Sequence, residues 1–159
     1  MKRAVLGVLL GLAFVGCKKP SRQYKTTVEI VQSRVVGGKT DPKAGPNAMD
    51  LELKYIDCPG DARRVMRGDK AFAMCGSKFK QGDKIEAEIQ TSFNAAKGSY
   101  RSEVVRLGDC PVKLDLEDEA NYEIVQVCTD LKASGNVVGV HCDRKRGGEI
   151  VAKCPWFAR

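Results

Sequence analysis

Polar and apolar positions alternate along much of this chain, and the alternation predicts strands. Residues 24–36 place Tyr24, Thr26, Val28 and Ile30 on one face. Residues 49–57 set Met49, Leu51, Leu53 and Tyr55 against Asp50, Glu52 and Lys54, the pattern of a strand with one wet face. Residues 83–93 repeat it, with Ile85, Ala87, Ile89, Thr91 and Phe93 opposite Lys84, Glu86, Glu88 and Gln90. Residues 94–98 (NAAKG) read as a turn and 100–107 as the return strand of a hairpin. Between the first two strands, 37–47 holds three glycines and two prolines and reads as a loop.

The period changes in two places. In 69–81, Phe72, Cys75 and Phe79 fall three and four apart, so a helix is expected, capped by Asp69 and stopped at Gly82. In 118–134, Ile124, Val127, Cys128 and Leu131 also keep helical spacing, with Gly135 as the stop. The β-branched Ile124, Val125 and Val127 make a strand the alternative. Residues 136–142 then read as a strand, 143–148 (DRKRGG) as a basic turn and 149–154 as a last strand. Trp156 and Phe157 are expected to fold back onto the core. Together these elements predict an α+β domain: strand-rich, with two short helices packed on β-hairpins. A small barrel of the OB type is one architecture that fits.

The first residues are of another kind. Lys2 and Arg3 precede an uncharged, mostly apolar run from Ala4 to Val15, which matches a secretory leader and is too short to span a bilayer. The run ends Phe14-Val15-Gly16-Cys17. This resembles the lipobox of bacterial lipoproteins, in which a small residue precedes the cut and the cysteine is lipidated; Phe14 stands where that pattern usually has leucine. The resemblance covers residues 1–17 only. It implies a signal peptide over 1–16, lipidation of Cys17, a tether over 17–23 and a single domain over 24–159. It also implies an exported, membrane-anchored protein. In enteric lipoproteins an aspartate after the cysteine favours the inner membrane, so Lys18 implies the outer membrane, with the periplasmic or surface face left open.

Cysteine arithmetic supports the same address. With Cys17 assigned to lipid, six of the seven cysteines remain, and an even number in an exported chain reads as three disulfides. No pair has C-x-x-C spacing, so neither a zinc site nor a redox motif is expected. Asp57-Cys58-Pro59, Cys75 and Gly82 are echoed by Asp109-Cys110-Pro111, Cys128 and Gly135, which suggests an internal repeat over 57–107 and 109–155. On that repeat the expected pairs are Cys58–Cys75, Cys110–Cys128 and Cys142–Cys154.

The chain carries +7, and loss of Lys2 and Arg3 with the leader takes it to +5. Arg63, Arg64 and Arg67, and separately Arg144, Lys145 and Arg146, form basic clusters suited to phosphate or acidic polymers. They lack the interleaved aromatics of a nucleic-acid surface, so no nucleic-acid partner is expected. The single histidine, His141, adjoins Cys142, but neighbours on a strand face opposite ways, and no nucleophile–base pair results. Asp115, Glu117, Asp118 and Glu119 lack the glycine and alternation of a calcium loop. With no catalytic residues, metal or cofactor expected, the reading is a non-catalytic, lipid-anchored cell-envelope protein that binds or scaffolds an unknown envelope protein. The alternatives are a recognition module for anionic envelope polymers or lipid phosphates and, further off, a thiol oxidoreductase or metalloenzyme.

Overall fold

The computed structural model describes residues 21–37, 45–94, 96, 98–113 and 123–157. They form eight strands and two short helices: β1 Arg22–Val36, β2 Ala48–Tyr55, β3 Asp61–Gly68, α1 Lys70–Gly76, β4 Lys84–Asn94, β5 Ser99–Leu107, β6 Cys110–Pro111, β7 Glu123–Ala133, β8 Asn136–Lys145 and α2 Gly147–Val151. The strands make one sheet in the order β6-β5-β4-β1-β2-β3-β7-β8, antiparallel throughout.

The expectation of an α+β domain is therefore corrected: the fold is mostly β, a single eight-stranded sheet with two short helices on it. An OB-type barrel is not formed either, because β6 and β8 end the sheet instead of pairing. The main error lay in 118–134. From Glu123 onward that stretch is β7, not a helix: it pairs with β3, which sets Val125 and Val127 opposite the inward Arg64 and Ala62, a period of two. Ser134 and Gly135 both have positive φ (51° and 82°), so Gly135 belongs to a two-residue hairpin turn, not a helix stop. At the other end, 149–154 is not a strand; it lies in α2 and the turns after it.

Where alternation is regular, the strands form as expected. On β2 Met49, Leu51, Leu53 and Tyr55 are buried, and Thr26, Val28 and Ile30 are their counterparts on β1. Helix α1 starts at the expected cap: the Asp69 carboxylate accepts from the Phe72 N–H at 2.8 Å. It ends at Gly76, short of Gly82; Gly82 (φ +88°) instead turns the chain into β4 and donates its N–H to the Ile30 carbonyl at 2.8 Å. A Cβ at Gly68 would collide with the Phe72 ring, so glycine there lets the helix lie on the end of β3.

Strand β3 (DARRVMRG) was not expected. Its inward residues are Ala62, Arg64, Met66 and Gly68, and an arginine among them hides the alternation. The core lies on this inner face of the sheet, under Phe72, Ala73 and Phe79 on one side and Ile150, Val151 and Cys154 on the other. Trp156 packs against it as expected, with its ring 5.2 Å from that of Tyr24 and 6.5 Å from that of Tyr55.

The disulfides are Cys58–Cys154, Cys75–Cys110 and Cys128–Cys142. All three expected pairs, Cys58–Cys75, Cys110–Cys128 and Cys142–Cys154, are corrected. Pairing followed the suggested repeat, and the two stretches do not share element order: Cys75 lies in α1, Cys128 in β7. The actual bridges join the turn after β2 to the C-terminal turn, α1 to β6, and β7 to its hairpin partner β8.

Candidate interaction surface

The outer face of the sheet is a charge ladder. Arg67 holds Asp50 with two hydrogen bonds of 2.6 and 2.9 Å, and Arg34 reaches the same carboxylate at 2.8 Å. Arg63 bridges Glu52 at 2.9 Å and Asp61 at 2.5 Å. The Arg67 hydrogen bond and, after it, that of Arg34 hold the Asp50 carboxyl below its ordinary range; Arg63 does the same for Asp61. These arginines are thus paired with carboxylates, Asp50 and Glu52 on the neighbouring β2 and, for Arg63, Asp61 on its own strand.

That placement separates the basic residues singled out in the sequence. Arg64 lies fully inside, donating to the Tyr55 hydroxyl at 2.5 Å and to Ser102. Arg63 and Arg67 are on the opposite face, in ion pairs. Arg63, Arg64 and Arg67 thus form no common anion-binding cluster, because strand geometry sends Arg64 one way and its neighbours the other. Arg144, Lys145 and Arg146 are exposed at the end of β8, with Arg146 3.8 Å from Glu149. Beside them, a cleft of about 230 Å³ runs between Gly60, Val127 and α2, with Lys145 and Lys153 at its walls. His141 is exposed and 3.3 Å from Asp143, while its neighbour Cys142 is tied to Cys128. Cys17, Asp115, Glu117, Asp118 and Glu119 lie outside the described residues. Among the described residues no group of three or more His, Cys, Asp or Glu side chains could hold a metal ion, and no helix is long and apolar enough to cross a membrane.

The most exposed apolar surface is the β7–β8 hairpin. Strand β7 pairs with β3 only over Glu123–Cys128, where Cys128 stands opposite Asp61. Beyond that point, among the described residues, β7 pairs only with β8, up to Ala133 opposite Asn136. Among those residues, 129–141 therefore form a two-stranded ribbon with no third strand beside it. Every residue from 129 to 138 is exposed, and Leu131 (49%), Val137 (55%), Val138 (65%) and Val140 (43%) present large aliphatic groups to solvent. Two-stranded hairpins are marginal on their own. Here the Cys128–Cys142 bridge closes the ribbon at its root, at the last rung shared with the sheet. Sequence reasoning missed this surface because it read β7 as a helix; the Ser-Gly pair between two valine-rich runs was the signal that could have found it.

Comparison with known proteins found no matching family model, no matching curated protein and no matching solved structure.

Proposed function

We propose that this chain is a non-catalytic, lipid-anchored cell-envelope protein with a binding role, exported through its leader and held at a membrane, the outer one by resemblance, by lipid on Cys17. The observation that carries the binding role is the ribbon of residues 129–141: four large aliphatic side chains kept in water on a hairpin braced at its root by a disulfide. Exposed apolar groups concentrated on one element mark a contact surface, since scattered ones are what a monomer tolerates without consequence. Lys18 and Lys19 beside the anchor suit an anionic headgroup layer.

Fractionation of cells producing the parent and the Cys17→Ala variant tests the anchor. The parent is expected in the membrane fraction and the variant in a soluble or unprocessed form; equal membrane association of both would remove the anchor from the reading.

A second reading, recognition of an anionic polymer, is favoured by one feature. Arg144, Lys145 and Arg146 stand exposed beside the cleft walled by Lys145 and Lys153. It requires salt-sensitive retention on a polyanionic matrix, lost when the three residues are replaced by glutamine. Retention unchanged by the triple substitution would eliminate it.

A further inference from the structure

Strand registers place the ribbon relative to the N-terminus. Val28 of β1 lies opposite Tyr55, Lys54 of β2 opposite Arg63, and Asp61 of β3 opposite Cys128. Running along β7 from Cys128 toward the ribbon tip therefore corresponds to running along β1 from Val28 back toward Arg22. The ribbon and the start of β1 leave the sheet at the same end. So does the β4–β5 hairpin, because Arg22 pairs with Thr91 and Phe93 with Tyr100 beyond it.

This end gathers the molecule's exposed apolar groups. Of the eight large apolar side chains exposed among the described residues, Ile56, Tyr100, Leu131, Val137, Val138 and Val140 lie here; only Val35 and Met74 lie elsewhere. Tyr100 belongs to an aromatic row, with its ring 5.2 Å from Phe93 and 5.4 Å from Phe157, which is in turn 5.5 Å from Tyr24. Tyrosine favours the level of lipid headgroups. Arg22 and Lys132 add exposed positive charge at the same end.

Chain length fits this placement. Cys17 precedes Arg22 by five residues, a reach of at most about 18 Å. Ala133 lies five residues beyond Cys128, so the tip projects roughly 16 Å from the root. A chain anchored at Cys17 can therefore bring the ribbon tip to the bilayer surface.

We infer that the β7–β8 ribbon, with Tyr100 and Ile56 beside it, docks on the surface of the anionic membrane that carries the anchor and so fixes the domain's orientation there. This inference deepens the anchored-protein reading and rests on it. Depth is limited by the backbone. Both edges of the ribbon beyond Cys128 lack a neighbouring strand among the described residues, and open edges are excluded from hydrocarbon but are satisfied by water and headgroups at the interface. Leu131 and Val140 stand on neighbouring rungs and so on opposite faces of the ribbon; the aliphatic groups of the face turned to the membrane enter the acyl boundary while the strands stay at headgroup level. Arg144 and Lys145, with Arg146 just after them, lie at the end of β8 opposite the ribbon tip.

The test uses the full chain, processed and purified from membranes, reconstituted in phosphatidylcholine–phosphatidylglycerol vesicles containing lipid brominated near the headgroup. Val138→Trp reports on the ribbon and Met74→Trp on the opposite end; both positions are exposed, and the parent's Trp156 emission is subtracted. Quenching of Val138→Trp at least twofold stronger than that of Met74→Trp is expected. Equal quenching of the two, in protein whose mass shows lipid on Cys17, overturns the docking and leaves the anchor standing. If the mass shows no lipid, the anchor reading fails, and vesicles added to the same proteins still decide the docking by the same comparison. Val138→Trp emission that ignores brominated lipid but shifts to the blue with protein concentration would assign the ribbon to a second copy of this chain and likewise overturn the inference.

Discussion

Arg64 on β3 donates to both the carbonyl and the hydroxyl of Ser102 on β5, at 3.1 and 2.8 Å, although β2, β1 and β4 lie between those strands in the sheet. The contact is possible only because the sheet curls until its inner face meets itself. Arg64 also donates to the Tyr55 hydroxyl, and burial pushes the Tyr55 phenol up from its ordinary value, keeping it neutral. A guanidinium fork thus ties three inward positions where aliphatic side chains would leave polar groups uncovered.

Replacing that fork is expected to be costly. Arg64→Ala removes a large buried side chain and strips partners from Tyr55 and Ser102, a loss of about 3 kcal/mol or more. Arg64→Lys keeps charge but not the fork and is expected to lose roughly 2 kcal/mol. Urea denaturation of both variants measures this. Parent-like midpoints would mean that the curl does not depend on the contact.

Acid should loosen the outer face. The Asp50 and Asp61 carboxyls are held below their ordinary value of 3.8, chiefly by hydrogen bonds from Arg67 and Arg63. A carboxyl depressed in the folded state contributes stability that is fully present above its unfolded value and lost as pH falls through the folded one. Stability is therefore expected to be flat near neutrality and to decline as pH drops to about 4 and below. Asp50→Asn should be less stable at pH 7 and less sensitive to acid. Parallel pH profiles for variant and parent would contradict the linkage.

The three bridges are expected to differ in effect. Cys58–Cys154 spans 96 residues and Cys128–Cys142 spans 14, so chain-entropy estimates are about 4–5 and 3 kcal/mol. Replacing Cys58 and Cys154 together by alanine should lower global stability most and free the C-terminal turn that carries Trp156. Thermal unfolding with Trp156 fluorescence reads both effects. Equal destabilisation by all three paired replacements would contradict the ranking.

Replacing Cys128 and Cys142 together by alanine should act locally. Amide protons of 129–141 are expected to exchange at nearly unprotected rates while β1, β2 and β4 keep their protection, since among the described residues the ribbon shares no rung with the sheet beyond Cys128. Protection of the ribbon unchanged by the double replacement would show that the disulfide does not hold it.

What could be read from the chain follows from how many faces each element shows. β1, β2, β4 and β5 bury one face and wet the other, so alternation exposes them. Asp69 was legible as a cap because a capping side chain acts within one turn. β3 was hidden by Arg64, an inward residue whose partners on β2 and β5 no local pattern reveals. In β7, Ile124, Val127, Cys128 and Leu131 satisfy helical spacing while Leu131 stays in solvent, so the pattern of a free ribbon has no buried face to announce. Disulfide partners depend on which turns the sheet brings together; Cys58 and Cys154 meet across 96 residues, beyond any local signal. The lipobox-like stretch ending at Cys17, by contrast, is contiguous, so the anchor proposed from it draws on no fold.

The most direct measurement is the intact mass of native protein extracted from membranes, taken with thiol alkylation before and after reduction and followed by mapping of the bridged peptides. A lipid-sized addition on Cys17, six alkylations only after reduction, and the bridges Cys58–Cys154, Cys75–Cys110 and Cys128–Cys142 are expected. An unmodified Cys17, or free thiols before reduction, would contradict an anchored, disulfide-braced binding module and return the chain to the thiol-enzyme alternative.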